Sequence, residues 1–155
     1  MHRLIKHITM NIGNILLFFF IVFMSSNANS EQSVEQIIKE RKSLFSKNYN
    51  TAKKVQSLSN KADFDTAKKL MNEMSENYLK LLDLFPDTTK EGFKTEALPL
   101  IWADNENFNN LMKKSSSDMI KLASSIEMSE NINGDIKSLM WSNCKTCHSK
   151  YRAPH

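Results

Sequence analysis

Apolar residues along most of the chain follow a helical repeat. In four segments they recur every three or four positions, which places them on one face of an α-helix. The predicted helices cover residues 31 to about 59, 63–85, about 104–129 and about 135–151. Asp63 and Asp104 are candidate N-caps, Pro86 ends the second helix, and a turn at residues 131–134 precedes the last. No segment alternates like a strand, so we predict an all-α protein, an antiparallel four-helix bundle.

The apolar face of each predicted helix is expected to supply the core. Methionine is an ordinary filler of helical cores, so we interpret the methionines on these faces as packing residues. The predicted inward residues are Val34, Ile37, Ile38, Phe45, Tyr49, Ala52, Val55 and Leu58; Phe64, Ala67, Met71, Met74, Tyr78, Leu81 and Phe85; Phe108, Leu111, Met112, Met119, Leu122 and Ile126; and Ile136, Leu139, Met140, Cys144, Cys147 and Tyr151.

The first 28 residues have the three parts of a secretory signal peptide. Arg3 and Lys6 form a basic start, residues 15–23 are uninterrupted apolar side chains, and small and polar residues follow. We predict cleavage after Ala28, with cleavage after Ser30 as the second choice. An uncleaved membrane anchor is the alternative, but nine residues are too few to cross a bilayer core, which needs about 20. The mature domain would then span residues 29–155, and the predicted location is the periplasm.

Composition and charge narrow the class of protein. The chain has 155 residues, of which 41% are hydrophobic and 25% charged, as expected for one globular domain. Three glycines and three prolines are too few for a turn-rich β-sandwich or barrel. The formal charge of +4 includes Arg3 and Lys6, and the other basic residues are interspersed with acidic ones. The charge therefore gives no reason to expect nucleic-acid binding.

One motif near the end of the chain carries chemistry. Residues 144–148 read C-x-x-C-H, the pattern by which two thiols attach one haem and the next histidine binds its iron. On a helix, Cys144, Cys147 and His148 share a face. A disulfide between the cysteines, a redox-active pair and a zinc site are the alternatives. A redox pair lacks its βαβ context, and zinc needs four ligands where only His155 could join the motif. We predict one covalently bound haem c.

The position of the motif at the end of a predicted bundle resembles the class II c-type cytochromes, the cytochrome c prime family. The resemblance extends over most of the mature chain. It rests on residues 41–45 (RKSLF), on 97–102 (ALPLIW) with Phe108, and on 144–152 (CKTCHSKYR). The family is known for periplasmic electron transfer and often forms homodimers, so the resemblance implies both here.

The resemblance also implies roles for residues outside the motif. Arg41 lies on the inward stripe, where a charge needs a partner, and a haem propionate would supply a bidentate one; a side chain that reaches the surface along the stripe is the alternative. Lys42 and Glu96 would contact the haem edge, although exposed side chains of these types need no such role. Arg152 would lie near the proximal imidazole, or simply complement the dipole at the end of the helix.

Phe45 stands where six-coordinate members of the family place an iron-binding methionine. Phenylalanine cannot bind iron, so we expect a five-coordinate, high-spin iron with Phe45 over its distal face. Three functions then compete: single-electron transfer, binding of a small gas such as nitric oxide or carbon monoxide, and enzymatic catalysis. An enzyme such as a peroxidase would need a distal acid–base group, and none is evident. We therefore expect an electron carrier that is not an enzyme, with gas binding as the alternative.

Overall fold

The structure is a computed structural model and describes residues 32–154. The predicted signal peptide and both of its candidate cleavage sites lie outside this range. Within the range, every element is helical apart from one isolated antiparallel bridge between Ala97 and Arg152. None of the helices in the described part is both long and apolar enough to cross a membrane.

Four long helical elements form the part of the chain that the structure describes, which confirms the all-α prediction. They are α1 (Val34–Ser59), α2 (Phe64–Leu81), α3 (Asn105–Ser125) and α4, a continuous run of Ile132–Ile136, a π-helical stretch Lys137–Trp141 and Ser142–Tyr151. The α2 helix packs against α1 and α3, and α4 packs mainly against α3 with further contacts to α1. Short 3₁₀ turns at Leu82–Leu84, Asp87–Thr89 and Ile126–Met128 and a one-turn helix at Leu100–Ala103 complete the structure.

Local capping chemistry explains where the first two helices begin. Ser33 and Gln36 form a reciprocal capping box at the start of α1, which satisfies two backbone N–H groups that the helix leaves unpaired. Asp63 accepts a hydrogen bond from the Thr66 N–H at 3.3 Å, as predicted for the cap of α2. Asp104 occupies the predicted N-cap position of α3, but its side chain makes no capping bond.

The last helix begins earlier than predicted. Asn131 is its N-cap and accepts a hydrogen bond from the Gly134 N–H at 3.0 Å, so the residues predicted as a turn form the first turn of α4. A Cβ atom on Gly134 would lie 2.4 Å from the Asn131 side chain, so the glycine permits the cap to close. Glycine and asparagine together usually mark a turn, and here the same pair makes a helix start.

Nearly all the predicted inward residues are buried or half-buried. Val55, Met71, Met74, Leu122 and Met140 are fully buried in one continuous core, and Ile38 is also fully buried. The prediction was wrong for Tyr49, of which 52% is exposed. Tyr49 lies instead on the wall of a cavity between the helices, with its ring edge-on to Trp141.

Candidate functional site

A cavity of about 720 Å³ lies between the four helices and the segment that joins α2 to α3. Its size falls within the range of cofactor pockets, roughly 300–1,000 Å³. Cys144, Cys147 and His148 all line it, because their spacing places them on one face of α4. The structure therefore brings the three motif residues together at the cavity wall, as the motif predicts.

The two cysteines are free thiols in this arrangement. Burial raises the pKa of Cys147 to about 11, the neighbouring Cys144 adds to the effect and the Arg152 charge opposes it. Burial also raises the pKa of Cys144, whose sulfur lies 3.9 Å from the Tyr78 hydroxyl. A redox-active pair needs a lowered thiol pKa, so these surroundings weigh against that alternative.

The zinc alternative also finds no support in the geometry. Within residues 32–154, no three His, Cys, Asp or Glu side chains come together in a way that could hold a metal ion. The motif histidine is instead placed as a single donor beside two thiols, on the wall of a cavity large enough for a planar cofactor.

Aromatic rings form much of the cavity wall. Phe45 on α1 lines the cavity and packs edge-on against Phe85, with ring centroids 6.4 Å apart. Phe85 in turn contacts Phe108 at 4.8 Å, and Phe108 contacts Tyr151 at 5.3 Å. Edge-to-face arrangements of this kind are favoured between aromatic rings. This part of the wall is therefore apolar, and Phe45, the predicted distal residue, belongs to it.

Arg41 is buried to 2% exposure, and its guanidinium binds the α2–α3 segment rather than reaching solvent. Nη1 donates to the Leu84 carbonyl at 3.2 Å and the Thr89 hydroxyl at 2.8 Å; Nη2 donates to the Thr89 carbonyl at 3.0 Å and the Thr95 hydroxyl at 2.6 Å. The guanidinium also lies 4.7 Å from the Phe85 ring centre. Desolvation lowers the pKa of Arg41 to about 10, so it stays charged at neutral pH.

These contacts bear on the bidentate propionate contact predicted for Arg41. A guanidinium has four N–H bonds on its two terminal nitrogens and one on Nε. The four hydrogen bonds above use all four N–H bonds of the two terminal nitrogens. A bidentate contact with a carboxylate through these nitrogens would therefore have to replace two of the four hydrogen bonds. The alternative, a side chain reaching the surface, does not match a residue this deeply buried.

The other predicted edge residues lie at the mouth of the same cavity. Lys42 is exposed and donates from Nζ to the Lys94 carbonyl at 3.1 Å. Glu96 is exposed, and its carbonyl accepts a bond from the Ala153 N–H at 2.8 Å. Arg152 lines the cavity just beyond the end of α4, which stops at Tyr151 as predicted, and its extended backbone pairs with Ala97.

Sequence reasoning missed several residues of the cavity wall. Met112, Tyr78, Asn48, Trp141 and Asn143 all line it, and Met112 and Tyr78 had been read only as core. Because the cavity lies at the centre of the bundle, some residues on the inward face of each helix line the cavity. Position on the inward face was therefore the sequence signal that could have indicated these wall residues. It does not separate core residues from wall residues.

Asp104 connects the start of α3 to the motif helix. Its Oδ2 accepts hydrogen bonds from Lys150 Nζ at 2.5 Å and from the Tyr151 hydroxyl at 2.7 Å. Hydrogen bonds from Lys150, Tyr151 and Asn107 hold the pKa of Asp104 at about 2. The side chain that could have capped α3 therefore fixes the end of α4 instead.

The residues present fit a covalently held haem. The cavity is lined by two thiols, an imidazole and several aromatic rings, together with basic side chains that include the exposed Lys42. A four-helix arrangement with this motif on its last helix defines a c-type cytochrome of the helical-bundle class.

Comparison with known proteins gives the family. The family model described as Cytochrome C' matches residues 36–152. A cytochrome c' from Rhodopseudomonas palustris is 30% identical over 120 residues, which cover 76% of this chain and 82% of the relative. The chain belongs to the cytochrome c' family, which binds a covalently attached haem c with its iron.

Solved structures agree with the fold. The structure of cytochrome c' from Rhodopseudomonas palustris superposes with a TM-score of 0.69 at 27% identity, covering 76% of this chain and 96% of that one. Cytochrome c' from Rubrivivax gelatinosus gives a TM-score of 0.66 at 24% identity, covering 78% and 98%. A variant of cytochrome c prime from Alcaligenes xylosoxidans, solved as a nitric oxide complex, gives 0.67 at 18% identity, covering 80% and 99%. The four-helix bundle prediction is confirmed.

Proposed function

We propose that this chain is an exported c-type cytochrome with one haem and that it transfers single electrons. The observation that carries the proposal is the convergence of Cys144, Cys147 and His148 on one wall of a cavity within a cytochrome c' bundle. The two cysteines would form the thioether links, and the imidazole of His148 would be the axial ligand. When bound, the haem supplies a one-electron couple at its iron and a coordination position for a small ligand.

The protein determines the environment of that couple. Phe45, Phe85 and Phe108 make the cavity apolar, and apolar surroundings disfavour a net charge on the iron centre. The positive charge of Arg41, beside the Phe85 ring, would instead stabilise negatively charged carboxylates nearby. Lys42, Glu96 and Arg152 at the mouth stand where they would meet the haem edge and a docking partner.

A five-coordinate iron is the coordination state we propose. Phe45 offers no donor atom, and it lines the cavity. Met112 also lines the cavity and carries a thioether, so it is the side chain that could contradict this proposal. A ferric spectrum of low-spin type that becomes high-spin in Met112→Leu would show that Met112 binds the iron and that the five-coordinate assignment is wrong.

The experiment that tests haem attachment is expression of the full chain with its own leader in a host that matures c-type cytochromes. A pyridine haemochrome spectrum of the purified protein should show one haem of c type per chain. Cys144→Ser with Cys147→Ser should abolish covalent attachment, and Thr146→Ala, between them, should retain it. Covalent haem in the double serine variant would overturn the assignment of the two thiols.

Electron transfer and location need separate measurements. Fractionation of the expressing cells should place the protein in the periplasm. A redox titration should be reversible and involve one electron, and the reduced protein should exchange its electron rapidly with a soluble redox partner. Failure to exchange electrons, with haem bound, would remove the electron-carrier proposal and leave the haem assignment standing.

Gas binding is the second candidate function. The observation that favours it is an aromatic wall without a ligating atom at Phe45, together with the nitric oxide complex of the structurally similar Alcaligenes xylosoxidans protein. Ferrous spectra recorded with nitric oxide and with carbon monoxide would test it. Unchanged spectra under both gases would eliminate this candidate.

Enzymatic turnover is not part of the proposal. Among residues 32–154, His148 is the single histidine, and the proposal assigns it to the iron. A peroxidase would need a second acid–base group on the opposite side. Steady-state oxidation of a dye by hydrogen peroxide, well above the rate of free haem, would contradict this view.

A further inference from the structure

The Tyr78 hydroxyl is a buried polar group on the cavity wall, and it lies beside the first cysteine of the motif. Its oxygen is 3.9 Å from the Cys144 sulfur. Burial raises the pKa of both groups. The contact between them raises the pKa of Tyr78 further and acts against the rise at Cys144, which is the effect of a hydroxyl that donates to a sulfur. The contact therefore has a direction, from the Tyr78 oxygen to Cys144.

Attachment of a haem would leave that direction as the only one. A free thiol has a proton and can donate, whereas a thioether sulfur has no proton and serves only as a weak acceptor. Tyr78 would then be the donor in the contact with Cys144. Cys147 has a different neighbour, because the Arg152 charge opposes the rise that burial causes in its pKa. The two attachment sulfurs are therefore in unequal surroundings, one beside a hydroxyl and the other near a positive charge.

Two buried asparagines support the Tyr78 hydroxyl from behind. Asn77 donates from Nδ2 to the Asn48 Oδ1 at 2.8 Å, and Asn48 donates from Nδ2 to the Met74 carbonyl at 3.5 Å. A hydrogen bond from the Asn48 amide to the Tyr78 oxygen acts to lower the Tyr78 pKa, against the larger effect of burial. Polar groups this deeply buried are costly unless each has a partner. The donors form a chain that runs from Asn77 to the Cys144 sulfur, and each bond in such a chain polarises the next.

We propose that Tyr78 raises the reduction potential of the haem by donating a hydrogen bond to the Cys144 sulfur, and that Asn48 is the positioning residue for its hydroxyl. This inference rests on the proposed haem and on its attachment through Cys144. That sulfur would be bonded to the haem edge, so a hydrogen bond that draws electron density from the sulfur also draws it from the ring. The reduced iron is the more electron-rich state, and the bond therefore favours it. A phenylalanine would fill the same space without this effect.

The test is an equilibrium redox titration of the full-length holoprotein. Tyr78→Phe keeps the ring and removes the hydroxyl, so the equilibrium constant for reduction should fall about threefold, which corresponds to about 28 mV at 59 mV per tenfold change. Tyr49→Phe makes the same substitution at an exposed ring that lines the same cavity, and it should match wild type. Asn48→Ala keeps the Tyr78 hydroxyl but removes its support, so it should lower the potential by less than Tyr78→Phe.

Cysteine labelled with ¹³C at Cβ shows where a change in potential originates. The chain has two cysteines, both in the motif, so nuclear magnetic resonance of the labelled holoprotein should give two signals. Tyr78→Phe should shift one signal and leave the other in place, because its hydroxyl contacts the Cys144 sulfur. Equal shifts of both signals would mean that the whole haem had moved in the cavity, and would overturn the proposed hydrogen bond.

The proposed function can fail separately from this inference. Wild-type protein without covalent haem would overturn the proposed function before any variant is compared. Covalent haem with the same potential and the same pair of signals in wild type and Tyr78→Phe would leave the function standing and would overturn the role of Tyr78. A shift in Asn48→Ala larger than that in Tyr78→Phe would overturn the positioning role of Asn48.

Discussion

Phe45 tests the coordination proposal at the level of a single side chain. Methionine has a similar volume and adds a thioether that can bind iron, so Phe45→Met should introduce a sixth ligand. We expect the ferric absorption and electron paramagnetic resonance spectra to change from high-spin to low-spin. The substitution keeps an apolar contact with Phe85, so the fold should tolerate it.

The matched control for this change is Phe45→Leu. Leucine alters the volume of the wall but has no donor atom, so the ferric spectrum should stay high-spin. A low-spin spectrum in the leucine variant would show that the wall merely keeps another side chain away from the iron. Met112 would then be the ligand to examine.

The side-chain amide of Asn143 links two helices, α3 and α4. Its amide nitrogen donates to the Asp118 carboxylate at 2.8 Å and to the Leu139 carbonyl, in the π-helical stretch, at 2.7 Å. Asn143→Ala would leave these two acceptors without this donor and should lower the free energy of unfolding by about 1–3 kcal/mol. Guanidinium denaturation measures the change, with the exposed Asn133→Ala as control. An equal loss in both variants would rule out the bridging role.

At the level of elements, the contact between α3 and α4 should depend on pH through Asp104. The folded pKa of about 2 lies below the ordinary value near 3.9, so folding favours the charged carboxylate. The stability this group contributes is present above about pH 4 and is lost as the pH falls toward 2. We expect Asp104→Asn to be less stable than wild type at pH 6.

That deficit should narrow steadily between pH 4 and pH 2. Thermal unfolding of the two holoproteins at several pH values measures it, and Asp65→Asn, at an exposed carboxylate in α2, provides the control. A deficit that stays constant down to pH 2 would mean that the carboxylate charge has no part in fixing α4.

The helices could be predicted from the sequence because each is determined by residues close together in the chain. The apolar repeat and the Asp63 cap lie within a few residues of what they determine. The roles of Asp104 and Arg41 were not readable in this way. Their partners lie more than 40 residues away, in Tyr151 and in Thr89, and only the folded arrangement brings them together.

The same distinction between local and distant partners applies to the residues of the site. Cys144, Cys147 and His148 could be placed together because they are neighbours on one helix. The extended conformation of Arg152 depends on its pairing with Ala97, and the Thr95 hydroxyl is held by a hydrogen bond from Arg41. Neither dependence leaves a local pattern in the sequence, so the helical repeat could not indicate it.

For the whole molecule, the cavity predicts that folding and haem attachment are linked. The wall draws residues from all four helices, so without a cofactor the bundle lacks the contacts that fill its centre. The Cys144→Ser, Cys147→Ser variant should melt at a lower temperature than wild type and bind the dye ANS. Thr146→Ala should resemble wild type. A double variant with unchanged melting would show that the bundle is complete without its haem.

The place of the attachment helix also fixes an order of assembly. Synthesis proceeds from the N-terminus, so α1, α2 and α3 are complete before the two thiols and the imidazole of α4 exist. Without α4, the cavity lined by the other three helices would lack one of its sides. The two thiols that would hold the haem therefore come last in synthesis, so a chain that ends before Cys144 should hold no covalent haem.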